Sequence, residues 1–446
     1  MSKQYTVRCK GLDSEGAGLV TFNNSIFSVP YVLPGEKCDI ELVYGKNETG
    51  ARLVRVIEPS KDRVDVTCNA YGKCGACNLL HMDYQAECRY KQELVADLFK
   101  ETGAEQLPFI ASDRPDNYRN KIYTTFDYQK NAKGQVRYVA GLYQENTRRV
   151  VQTNGCLLEK KIAQKITATI IDLMRLTGTR AYDQEMGTGT LRHAYFRVSE
   201  KTGGVMLVLV TGSKDFKASG RFVETLTKKH GCIETIIWNV NPKKTGMVLG
   251  DKDTVLYGKG FIEDELLGLK FRISPHSFYQ VNPHQTEKLY RAALEMAEIG
   301  KNDEVVDAYC GTGTISLAAA GSAGHVTGVE VNHDAVRDAK EAARTNGIQN
   351  VDFVTKDAGK YLESAEKHID VLIMDPPRSG SDETFLKAAA AAECDRIVYI
   401  SCEPKTQKRD VEFLMKNGYK CVKMQAVDMF SHTPKVENIC LLKRQH

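Results

Sequence analysis

A chain of 446 residues, 42% hydrophobic and 26% charged, holds enough material for two or three domains with buried cores. Its net charge of +4 permits a nucleic-acid partner without establishing one, and no apolar run approaches the ~20 residues of a membrane helix. The opening Met1-Ser2-Lys3-Gln4-Tyr5-Thr6-Val7-Arg8 has no apolar signal core, so thirteen cysteines point to metal or catalytic use in a reducing cytoplasm, not to a disulfide framework.

Residues 1–59 read as a small all-β module. Runs such as Tyr5–Arg8, Gly18–Thr21 and Asp39–Val43 alternate or are β-branched, and turn signals at Glu15–Gly18, Asn23–Ser25 and Leu33–Glu36 separate them. A closed barrel of the oligonucleotide-binding (OB) type fits this spacing. Residues 60–265 form a mixed α+β central region. It opens with Cys68, Cys74 and Cys77 in a C-x5-C-x2-C loop, with Cys156 downstream. Four thiolates from two loops suit tetrahedral zinc or an iron–sulfur cluster. Cys88 begins a helical run from Tyr84 to Thr102 whose apolar stripe is Leu94, Val95, Leu98 and Phe99, and it is left out of the set. Strands are expected over Lys121–Tyr128, Val205–Thr211 and Thr235–Val240. Asn117-Tyr118-Arg119-Asn120-Lys121 and Leu191-Arg192-His193 place cations and an aromatic at loops or strand edges, where phosphate contact and base stacking are available.

From about Gly268 the chain alternates strand and helix, the pattern of a doubly wound α/β sheet occupying residues 266–446. The strand Glu304–Ala308 contains Asp307 and leads through Tyr309-Cys310-Gly311-Thr312-Gly313 into a helix at Thr314–Ala320. Ser316 stands where a dinucleotide fingerprint would have its third glycine. A second strand ends in Glu330, Asp357 follows a third, and a fourth, Val371–Met374, ends in Asp375-Pro376-Pro377-Arg378. Acids at successive strand ends mark a cofactor crevice, because a carboxylate offers two acceptors to ribose hydroxyls. A fifth strand, Ile397–Ile400, delivers Ser401-Cys402-Glu403-Pro404. Pro404 suits a first helical turn, and the positive end of that helix is expected to favour the Cys402 thiolate.

These motifs resemble those of the RNA (uracil-5-)methyltransferase family, within the class I S-adenosylmethionine-dependent enzymes. The resemblance rests on Phe278-Tyr279-Gln280-Val281-Asn282, Asp307–Gly313, Asp375–Gly380, Ser401–Pro404 and His432-Thr433-Pro434-Lys435-Val436-Glu437, and it spans the chain, the first sixty residues looking like the family's TRAM module. It implies a Rossmann-like methyltransferase sheet in which Gln280, Tyr309, Glu330 and Asp375 contact the cofactor and Asp357 sits near its adenine. Cys402 corresponds to the nucleophile and Glu437 to the proton-abstracting base. The resemblance selects a [4Fe-4S] cluster on Cys68, Cys74, Cys77 and Cys156, and an RNA substrate held between barrel and catalytic domain, 23S ribosomal RNA in preference to transfer RNA. No obligate protein partner is implied. Two departures stand out: Glu403 replaces a common asparagine, and Lys435 a frequent histidine, so Lys435 is a candidate to offset Glu403. Other readings are an adenine amino-group methyltransferase, which would have no use for Cys402, and a non-catalytic iron–sulfur RNA-binding regulator.

Overall fold

A computed structural model of the chain describes residues 4–44, 49–130, 136–145 and 147–445; Met1–Lys3 of the opening segment lie outside it. The first five strands are β1 (Gln4–Leu12), β2 (Gly18–Phe22), β3 (Ser25–Val29), β4 (Lys37–Tyr44) and β5 (Thr49–Glu58). They hydrogen-bond in the order β3-β2-β1-β4-β5, and β3 lies against β5, which closes the ring in the OB-type order. Val7, Val20, Val29, Val32 and Ile40 fill its interior.

Helix α1 (Tyr84–Phe99) ends in a 3₁₀ turn at Lys100–Thr102, as the periodicity predicts, with Val95 and Phe99 buried. The short β6 (Glu105–Gln106) follows. Then come β7 (Lys121–Lys130), β8 (Val136–Tyr143), β9 (Val150–Gln152), α2 (Lys161–Thr177), β10 (Leu191–Val198), β11 (Val205–Thr211), α3 (Ser219–Lys229), β12 (Ile233–Val240) and β13 (Lys252–Tyr257). Their strands form one sheet, β13-β12-β11-β10-β7-β8-β9, with β10 at its centre and buried along its whole length.

The hairpin β14 (Ile262–Leu266) and β15 (Leu269–Ile273) comes next, so a boundary at 265/266 would divide it. Its apolar residues pack with Val305 and Ile315 of the following unit. That unit contains α4 (Pro283–Ala297), β16 (Glu304–Ala308), α5 (Thr314–Ala320), β17 (His325–Glu330), α6 (His333–Thr345), β18 (Val351–Thr355), α7 (Ala358–Glu363), β19 (Val371–Met374), α8 (Glu383–Ala391), β20 (Arg396–Ser401), α9 (Pro404–Lys416), β21 (Tyr419–Val427) and β22 (Glu437–Arg444). The sheet order is β18-β17-β16-β19-β20-β22-β21-β6. Strands β16 to β20 are parallel and β22 is antiparallel to β20. Helices α4, α5 and α6 cover one face, and α1, α7, α8 and α9 the other. Burial on both faces is why β19 reads as an unbroken apolar run. Chain order reverses between β16 and β19, the place where such sheets open a crevice at their carboxyl edge. Among the described residues no helix is long and apolar enough to cross a membrane.

Candidate active site

At that carboxyl edge lies a cavity of about 990 Å³ whose walls include Gln280, Tyr309, Glu330, Asp357, Asp375, Cys402 and Glu437. Every cofactor and catalytic residue singled out from the sequence therefore meets in one space. The turn after β16 builds its floor. Tyr309 and Gly311 have left-handed backbones (φ 64° and 55°), and Gly313 (φ 77°) leaves no room for a side chain, since a Cβ there would come within 2.6 Å of the Phe353 ring. The Tyr309 ring leans on Phe385, with centroids 5.0 Å apart. Glu330 is fixed by amides, accepting from Gly311 N at 3.2 Å and Asn332 N at 2.8 Å, which leaves lone pairs facing the cavity. Exposed Asp357 caps α7 by accepting from Lys360 N.

Asp307, the remaining strand-end acid, is spent inside the fold. It is buried and accepts from Ser316 Oγ at 2.5 Å, which explains why serine occupies the third-glycine position. Its other oxygen has no partner, and burial pushes its carboxyl up to about 7. Burial, reinforced by Asp307, likewise pushes Asp375 up to about 7. Burial also drives Glu437 well above the usual carboxylate range, with Asp375 adding to the effect and Arg378 opposing it. A pocket in which carboxyls are held up for want of countercharge suits a ligand that carries positive charge.

Cys402 follows β20 directly and Pro404 opens α9, as expected. The charge state differs from the expectation. Burial comes first, then the negative charges of Glu437 and Asp375, and together they push the thiol up to about 11 against the pull of Arg378. The sulfur sits one residue before the Glu403 cap and shares its pocket with two carboxyls, so the helix terminus does not prevail. Glu437 is buried at the first position of β22, beside Asn438, which pairs with Ser401 across the ladder; strand reversal thus brings it to the Cys402 edge. Lys435 does not meet Glu403. It reaches Glu15 in the β1–β2 loop at 3.2 Å, while Lys405 donates to Ser14 of that loop at 2.7 Å. The barrel thus touches the segments around both catalytic candidates, bridging the gap expected there.

Arg378 and Phe430 also line the cavity without having been singled out. Arg378 had a signal, since it follows the acid-Pro-Pro motif; Phe430 had none.

Cys68, Cys74, Cys77 and Cys156 line a second cavity of about 430 Å³, shared with Arg119 and Glu159. Burial raises the Cys74, Cys77 and Cys156 thiols, Cys156 to about 11, and neighbouring cysteines add to the rise. Such a set gains most from a bound cation, which deprotonates thiols outright. Among the described residues no three of these sulfurs lie within 4.8 Å of one another. Tetrahedral zinc, with bonds of ~2.3 Å, would hold four sulfurs about 3.8 Å apart, and four thiols are equally the donor set of an iron–sulfur core. A cluster that does meet the 4.8 Å spacing, His368, Asp370 and Asp395, lies at the opposite sheet edge, and His368 already bonds Asp395 at 3.1 Å.

Several RNA-contact candidates are consumed internally. Arg192 is buried and donates to the carbonyls of Asn241, Lys243 and Thr245; His193 is buried against Thr125, and desolvation holds its imidazole down to about 3. Leu191 is fully buried beside them. Tyr118 donates to Ser431 O, and Asn120 Nδ2 donates to Gln280 O at 3.0 Å, so both brace the catalytic unit. Asn117 is held by its amide to Leu157 O. Lys121 is exposed and lines both cavities.

Residues 251–445 match the family model described as tRNA (uracil-5-)-methyltransferase. An RNA methyltransferase of Halalkalibacterium halodurans, itself termed uncharacterized, is 38% identical over 98% of this chain and 96% of that protein. A counterpart in Clostridium tetani is 37% identical with the same coverage. The Pyrococcus abyssi tRNA (uracil-54, C5)-methyltransferase, solved with S-adenosyl-L-homocysteine, superposes with a TM-score of 0.79 over 98% of this chain and 100% of that one, at 23% identity. That likeness shows the fold.

Proposed function

The chain belongs to the RNA (uracil-5-)methyltransferase family, whose members use S-adenosylmethionine, and from that premise we propose that it methylates carbon 5 of a uridine in 23S ribosomal RNA through a covalent Cys402 adduct. The observation that carries this reading is the single cavity in which Cys402 and Glu437 face the acids of the cofactor crevice.

Carbon 5 of uracil is too weak a nucleophile to react unaided. The Cys402 thiolate adds to carbon 6, and the electrons of the 5,6 double bond pass into an enolate, which makes carbon 5 nucleophilic. S-adenosylmethionine, which Gln280, Tyr309, Glu330 and Asp375 would hold, would supply the electrophilic methyl group, its carbon–sulfur bond breaking as carbon 5 takes the methyl. Glu437, as carboxylate, then removes the carbon 5 proton; the double bond re-forms and expels the thiolate. Arg378 is the group that favours the Cys402 anion against its two acidic neighbours. A uridine within folded RNA must swing out of its stack to reach the sulfur.

Asp375 is held at about 7 in the free protein, and a cationic cofactor favours its charged form, lowering that value. Proton release on binding makes cofactor affinity rise with pH and level off above about 7. Asp375→Asn should flatten this profile and weaken binding about tenfold, a loss of ~1.4 kcal/mol. Titration calorimetry in buffers of different pH measures both effects.

Cys68, Cys74, Cys77 and Cys156 would hold the [4Fe-4S] cluster. Because uracil methylation is redox-neutral, its role is to order the two loops and the RNA-facing surface around them. Anaerobically purified protein should absorb visible light, and Cys74→Ala should remove that absorbance; unchanged absorbance would strike Cys74 from the ligand set.

The cysteine set and the barrel, read as a TRAM module, support ribosomal RNA. Transfer RNA is the second reading, favoured by the matched family, tRNA (uracil-5-)-methyltransferase, and by the transfer-RNA substrate of the Pyrococcus abyssi enzyme. Both transcripts, incubated with methyl-labelled cofactor and digested to nucleosides, test the proposal. Label in 5-methyluridine from 23S RNA is expected. Label confined to transfer RNA would transfer the assignment, and label in another nucleoside would contradict it.

A further inference from the structure

Away from the cavity, the fold buries a charged cluster that the chemistry does not use. Lys91 on α1, Glu87 one turn before it, and Asp428 in the loop between β21 and β22 have no exposed side-chain surface. Lys91 Nζ spends its three donors on Glu87 Oε1 (2.6 Å), Asp428 Oδ1 (2.6 Å) and the Phe430 carbonyl (3.2 Å). Asp428 Oδ2 accepts from Tyr84 OH at 2.7 Å and from Ser431 Oγ at 2.6 Å. Glu87 Oε1 also accepts from the His432 amide at 2.8 Å. From the other side, Gln285 and Asn282 on and before α4 donate to the Asp428 and Met429 carbonyls at 2.9 and 3.1 Å. Each residue from Asp428 to His432 is therefore gripped by a side chain or backbone group distant in sequence.

That loop leads directly into Glu437, the first residue of β22, and Phe430 within it lines the catalytic cavity. A buried ion pair repays its desolvation poorly, and apolar residues of similar volume are often as good for stability. Hydrogen-bonded charges do fix direction, which apolar packing does not. We propose that Lys91 is a positioning residue for deprotonation: through Asp428 and Phe430 it sets where the β21–β22 loop hands Glu437 to the cavity. The inference rests on the covalent uracil mechanism proposed above.

The test uses the full chain with Glu87→Gln, Lys91→Met and Asp428→Asn combined, which removes every charge at nearly constant volume. RNA containing 5-fluorouridine traps the protein after nucleophilic addition and methyl transfer, because fluorine replaces the proton that the base removes. Trapping thus reads the early steps, and turnover on ordinary RNA reads all of them. The variant should trap fluorinated RNA at the native rate and bind cofactor normally. Its turnover on ordinary RNA should fall about a hundredfold, the loss a ~1 Å misplacement brings, with adduct accumulating. Equal losses in trapping and turnover, or no loss in turnover, would overturn the proposal. Ser431→Ala, which deletes a single bond to Asp428, keeps the test open should the triple variant not fold: a smaller split of the same kind is expected, and parallel losses or none would overturn it. A native chain that fails to trap fluorinated RNA would instead refute the parent mechanism.

Discussion

A Cys402→Ala variant should bind cofactor and RNA and yet lose methyl transfer by on the order of 10⁴-fold or more, the scale on which removal of a covalent nucleophile acts. The thiol is partly buried at the end of β20, and its loss leaves the neighbouring walls in place. Cofactor affinity should not weaken, because Gln280, Tyr309, Glu330 and Asp375, the proposed cofactor contacts in the cavity wall, are untouched. Single-turnover transfer of labelled methyl, measured beside a cofactor titration on the same preparation, separates lost chemistry from lost binding. Alanine turning over at the native rate would end the covalent account.

Glu437→Gln should fail later in the reaction. Addition and methyl transfer do not require the base, so the variant should build up RNA–protein adduct on ordinary RNA, with release slowed about 10²–10⁴-fold. A second consequence follows from the charge. Glu437 is among the groups that raise the Cys402 thiol, second only to burial. An amide removes that repulsion, so the thiol pKa falls and iodoacetamide should alkylate Cys402 faster than in the native protein at about pH 9. Slower alkylation would show that Glu437 acts on Cys402 in the opposite sense, and native-rate turnover would remove it as the base.

The catalytic unit was legible because its signals are local. Short apolar runs bounded by acids and glycines located Glu304–Ala308, His325–Glu330 and Val371–Met374 at the residues where the strands lie. Strand ends then placed Glu330, Asp375 and Cys402 on one edge. What stayed hidden depends on contacts distant in sequence. Arg192 and His193 look like solvated cations, but β10 occupies the centre of a seven-stranded sheet, and carbonyls from the 241–245 segment satisfy the guanidinium. The high pKa of Cys402 arises from burial and from two carboxyls delivered by other strands, while the helix terminus that argued for thiolate is a neighbour in sequence. Lys435 pairs with a barrel loop 420 positions away, and Lys91 with Asp428 across 337. No periodicity carries such pairings.

The most direct test weighs a peptide. Adduct accumulated by Glu437→Gln, or trapped by the native chain on RNA containing 5-fluorouridine, can be digested with trypsin and nuclease. The fragment from Ile397 to Lys405 contains Cys402 as its sole cysteine. That fragment should carry the mass of a methylated uridine nucleotide in the first case and of a methylated 5-fluorouridine nucleotide in the second. The nucleotide on any other fragment, or on none, would contradict the sulfur–carbon 6 bond.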